Sequence, residues 1–120
     1  MINVNVEGSQ IGVLNAGGVV DSISKISVNV NTMKSKGDVE LAEACSTLSR
    51  ALSSCDANDK EKTDLLHNLK LLTEETSKPV EERNTSLVGF VISHFDKILP
   101  TIESAKGVWD GCKDIFQGLI

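Results

Sequence analysis

Residues 2–20 read INVNVEGSQIGVLNAGGVV, and the way this stretch folds decides whether the chain is purely helical or mixed. Ile2, Val4 and Val6 alternate with Asn3, Asn5 and Glu7, which is the two-residue period of a half-buried strand. Gly8-Ser9 is a turn signal, and Ile11, Val13 and Leu14 form a second short apolar run. Asn15-Ala16-Gly17-Gly18 then favours a sharp bend. The pattern predicts a short N-terminal β-hairpin or β-arch. A lone two-stranded ribbon is only marginally stable in water, so such an arm needs a partner surface.

Beyond this arm the period changes. Residues 21–36 fit a helix through Ile23, Ile26, Val30 and Met33, and a strand through Ile26, Val28 and Val30. Helix is preferred, with Asp21 as its cap and Gly37 as a left-handed terminator, although Val28, Asn29 and Asn31 are poor helix formers. Asp38 is expected to cap a second helix through Leu41, Cys45, Leu48, Leu52 and Cys55. A loop over 55–58 leads to a helix from Asp59 to Thr76, with Leu65, Leu66, Leu69 and Leu72 inward. Ser77 is expected to cap a further helix, with Pro79, Glu81 and Glu82 in its first turn, that runs to Pro100 through Leu87, Val88, Val91, Ile92, Phe95 and Ile98.

Residues 101–120 carry the strongest helical period, with Ile102, Ala105, Val108, Trp109, Cys112, Ile115, Phe116, Leu119 and Ile120 on one face. The expected fold class is mainly α (α+β): a β-type assembly arm over residues 1–20, then a four- to five-helix bundle over 21–120 as a single folding unit.

Composition excludes several function classes. Leu, Ile, Val and Phe make up 36 of the 120 residues, enough for one core and too few residues overall for a second domain. The net charge of −5, with scattered Lys and Arg and no Tyr, leaves no basic stripe or ring ladder, so nucleic acid is not an expected partner. Cys45, Cys55 and Cys112 form no C-x-x-C pair and no secretory signal is evident, which points to a reducing cytoplasm and to cysteines acting as small core hydrophobes. His67 and His94 lack ligands at metal-binding spacing, so neither a metal nor a cofactor is expected.

Motifs that could carry chemistry have simpler explanations. The glycines over 8–18 lack the Lys-Ser/Thr of a phosphate loop and the G-x-G-x-x-G spacing of a dinucleotide fingerprint. Asp64 with His67, and Ser93 and Asp96 around His94, are two-member sets, whereas nucleophilic catalysis needs three converging groups. Glu74, Glu75, Glu81 and Glu82 do not form a calcium loop. Gly107, Gly111 and Gly118 are costly inside a helix, which points to close packing on another backbone or to adaptability.

Over residues 2–18 the pattern I-x-V-x-V-x-G-S-x-I-G-x-L-N-x-G-G resembles the Gly/Asn-rich β-arch segments of bacterial immune-type signalling proteins and of small uncharacterised bacterial domains. That resemblance implies self-association by stacking, carried by Ile2, Val4, Val6, Ile11, Val13 and Leu14, in bacterial signalling or defence.

The functional expectation is a non-enzymatic module for oligomerisation or protein interaction, forming a homo-oligomer, with a protein partner as a further option. Two alternatives stay open. One is a membrane-active effector using the amphipathic segment 86–120, whose face of Val108, Trp109, Ile115, Phe116, Leu119 and Ile120 would meet a partner or a bilayer. The other is a small-ligand binder with an intersubunit pocket.

Overall fold

The computed structural model describes the backbone of residues 10–119 and the side chains of residues 20–119. Among the described residues there are five α-helices: α1 (Gln10–Ser35), α2 (Val39–Ser53), α3 (Asp59–Thr76), α4 (Thr85–Ile98) and α5 (Glu103–Gln117). Short 3-10 turns at Val80–Glu82 and Leu99–Thr101 precede and follow α4. α1 packs on α2 and α3, which also pack on each other; α5 lies against α2, α4 against α3, and α4 against α5. The α2–α3 pair is thus shared between α1 and the α4–α5 pair.

The expected β-hairpin or β-arch is corrected. Ile11, Val13 and Leu14, its second strand, lie within α1, and no strand is present among the described residues. Ile2, Val4 and Val6 lie outside the described residues. In α1 the buried positions after residue 20 recur at helical intervals: Ser22, Ile26, Val30 and Met33 are buried, while Val28 is 62% exposed. A strand would have placed Val28 beside Ile26 and Val30 on one face. Burying the 26–30–33 stripe on α2 and α3 therefore outweighs the weak helix propensity of Val and Asn. Asp21, expected as a cap, sits inside the helix.

Gly37 ends α1 as expected, with φ +91°. The Asp38 N–H donates to the Met33 carbonyl at 2.9 Å and the Gly37 N–H to that of Lys34 at 3.1 Å, a Schellman closure of the last turn. Asp38 takes the N-cap position of α2, but its side chain makes no capping hydrogen bond. α3 begins where the sequence places it, because the Asn58 side chain accepts the Glu61 N–H at 2.8 Å.

The start of α4 is a second correction. Ser77 caps the end of α3, and Asn84 is the N-cap of α4, accepting the Leu87 N–H at 3.1 Å. The Pro79-Glu81-Glu82 signature forms only the 3-10 turn, since Arg83 is extended at φ −72°, ψ 138°. Side chains hold that break open. The Glu75 carboxylate accepts from the Asn84 N–H at 2.8 Å and from Lys78 Nζ at 2.9 Å. Arg83 donates back to the carbonyls of Thr76 at 2.8 Å and Lys78 at 3.2 Å.

One continuous core joins all five helices. Leu48 and Leu52 of α2, Leu65, Leu66, Leu69 and Leu72 of α3, Phe95 of α4, and Trp109 and Phe116 of α5 are fully enclosed in it.

Candidate functional site

α5 presents two apolar faces. The first, Ala105, Trp109, Cys112 and Phe116, is buried in the core. Trp109 and Phe116, expected on a partner or membrane face, are therefore core residues in this fold, with ring centroids 5.7 Å apart. The second face follows the same three- and four-residue spacing through Ser104, Gly107, Val108, Gly111, Ile115 and Gly118. None of these is charged; Glu103, Lys106, Asp110, Lys113 and Asp114 occupy the rest of the helix surface. Ser104 and the three glycines are exposed, whereas Val108 and Ile115, together with Leu119 beyond the helix, are half-buried against the core. Ile120 lies outside the described residues.

This second face and α2 enclose a groove of about 350 Å³, walled by Ala44, Thr47, Glu40 and Glu43 on one side and by Gly107, Val108, Gly111 and Ile115 on the other. The glycines do not serve close packing within the chain, because a Cβ added at Gly107 or Gly111 would meet nothing within 4 Å. Two glycines one turn apart on an uncharged helix face thus border open space. Their cost in helix propensity is not offset by any contact among the described residues.

Burial alters the chemistry of the cysteines near this groove. All three are buried and free. Burial pushes the Cys45 thiol up to about 12, with Cys112 nearby adding to the effect, and burial pushes Cys112 up to about 11. Neither is a poised nucleophile at neutral pH, since the thiolate is the reactive form.

A second cleft, of about 280 Å³, lies between the start of α3 and the end of α4, lined by Asn58, Lys60, Glu61, Asp64, Leu65, His94 and Ile98. It brings Asp64 to the same cleft as His94, a juxtaposition across helices that spacing along the chain could not reveal. His67 is exposed. Phe90, 66% exposed, stacks on His94 with ring centroids 6.5 Å apart. No hydrogen bond links Asp64 to His94, and among the described residues no three His, Cys, Asp or Glu side chains converge as a metal set.

Within the segment 86–120 considered for a bilayer function, Val88, Val91, Ile92 and Phe95 of α4 are buried in the core, while Phe90 is exposed. No helix among the described residues is long and apolar enough to cross a membrane. Comparison of the chain with protein-family models, curated proteins and solved structures finds no match.

Proposed function

We propose that this chain is a non-enzymatic interaction module that assembles with further copies of itself, and that the α2–α5 groove is the contact face. The observation that carries the proposal is the pair Gly107 and Gly111, bordering open space on the uncharged second face of α5. Small residues at four-residue spacing let a second helix approach closely, and Val108, Ile115 and Ala44 supply apolar surface beside them. Charged residues flank this strip on α5 and at Glu40 and Glu43 of α2, as in an interface with an apolar centre and a polar rim.

Because a Cβ is accommodated at both positions, substitutions there act on assembly rather than on the fold. Light scattering of the wild type should give a mass above the 12.9 kDa of one chain at high micromolar concentration. Gly107→Leu with Gly111→Leu should reduce it to that of one chain while helical circular dichroism is retained. A wild type that stays monomeric, or a double variant that assembles unchanged, contradicts the proposal.

A further inference from the structure

On the opposite flank of α2, where it packs on α1, lies a groove of about 290 Å³. Ile23, Ile26 and Val30 form its floor; Ser27, Asn31, Ser46 and Ser49 supply polar walls; Lys34 and Arg50 stand at its edge. In a chain of net charge −5, this groove has two cations and no carboxylate lining it among the described residues. The α3–α4 cleft and the α2–α5 groove, by contrast, are each lined by Asp or Glu. Neither Lys34 nor Arg50 forms an ion pair among the described residues, so both charges remain available to a ligand.

A further observation points into the groove. Ser49 is 8% exposed, and its hydroxyl finds no hydrogen-bond partner among the described residues. A buried hydroxyl without a partner is uncommon, because desolvating it is unfavourable unless a hydrogen bond compensates. Neighbouring Ser46, Ser27 and Asn31 widen the set of donors around it. Cations and neutral donors above an apolar floor match an anionic head joined to a short apolar tail. The volume lies at the small end of ligand pockets, about 300–1,000 Å³ in general, which suits a single unbranched alkyl chain.

We infer that the α1–α2 groove binds a small organic anion, a carboxylate or phosphate monoester, with Lys34 and Arg50 engaging the anionic group and Ile23, Ile26 and Val30 receiving the apolar part. This site stands apart from the self-association face and does not depend on it. Arg50 suits either head, since its planar guanidinium presents parallel N–H donors to two oxygens, and Lys34 adds a point charge.

The test is a two-dimensional amide NMR titration of the full chain with octanoate, octyl phosphate and octylammonium below their micellar concentrations. Saturable shifts confined to residues 23–34 and 46–50 are expected with one or both anions and not with octylammonium; their relative affinities tell carboxylate from phosphate recognition. Lys34→Gln with Arg50→Gln, at two exposed positions, should leave the dispersion of the spectrum intact and weaken binding about tenfold or more. No saturable response to either anion, undiminished binding in the double variant, or an equal response to octylammonium overturns the assignment.

Discussion

Trp109 is completely enclosed, stacked on Phe116 and meeting Phe95 edge-on at 5.8 Å, with its indole N–H donating to Asp96 Oδ1 at 3.2 Å. Truncating such a cluster removes buried area and leaves a cavity. Phe116→Ala should therefore cost about 3–5 kcal/mol, read as a lower midpoint in urea unfolding followed by Trp109 fluorescence. Against a total stability of about 5–15 kcal/mol, that loss leaves a marginal protein. Glu75 acts at the same scale by a different force. The Asn84 N–H, and then Lys78, hold its carboxyl below the usual glutamate range despite its burial. A depressed folded-state value means that the carboxylate stabilises the fold above the ordinary range and that this contribution fades as pH falls through it. Glu75→Gln should cost about 1 kcal/mol at pH 7, kept modest because its Lys78 partner is largely solvated, and the gap from wild type should narrow as pH falls below the ordinary glutamate range. A gap that is independent of pH would argue against the charge. The raised thiols of Cys45 and Cys112 carry the opposite sign. The folded state retains protons that the unfolded chain releases above about pH 8.5, so stability should fall as pH rises past that value. Replacing Cys45 and Cys112 with Ala should flatten that alkaline slope in urea titrations, whatever it does to stability at pH 7.

Helix ends were legible in the sequence where a single residue sets them, and obscure where distant groups do. Gly37 is the clearest case, because its φ of +91° is a conformation that L side chains rarely adopt. Gly37→Ala should destabilise by about 1–2 kcal/mol through backbone strain, since nothing within 4 Å would clash with the new methyl. Urea unfolding measures it. Asn58 likewise announced the start of α3. The start of α4 was misplaced because Ser77, Pro79, Glu81 and Glu82 satisfy every local rule for an N-terminus, while Glu75 and Arg83 impose the break from across the turn. The expected second strand of the β-type arm is helical for a related reason. Ile11, Val13 and the glycines over residues 11–18 carry strand and turn preferences of a fraction of a kcal/mol each. α1 nevertheless extends from Gln10 to Ser35. At 1.5 Å per residue it is about 39 Å long, against about 27 Å for α3, so it outreaches the helices it packs on. On the functional face, the glycines of α5 were legible as unusual. Their orientation toward open space was not, because only the assembled bundle shows which flank of α5 the α2 helix leaves uncovered.

For the whole molecule, α2 separates two unlike surfaces: the groove beside α5, with Glu40 and Glu43 on its α2 wall, and the cationic groove beside α1. A contact through the first leaves the second free, so assembly and anion binding should be independent, with octanoate or octyl phosphate leaving the assembled mass unchanged. We propose that copies meet at Gly107 and Gly111. This contact also carries a prediction for the monomer: Gly107→Ala with Gly111→Ala improves helix propensity by about 1 kcal/mol per site and should raise stability at dilute concentration while weakening assembly. The most direct measurement is an isotope-filtered NOE experiment on an equimolar mixture of carbon-13-labelled and unlabelled chains, which detects only protons of different copies in contact. Interchain NOEs are expected to the methyl groups of Val108, Ile115 and Ala44 and to the α-protons of Gly107 and Gly111; no interchain NOEs at high micromolar concentration, or NOEs centred instead on Phe90 of α4, would contradict self-association at this face.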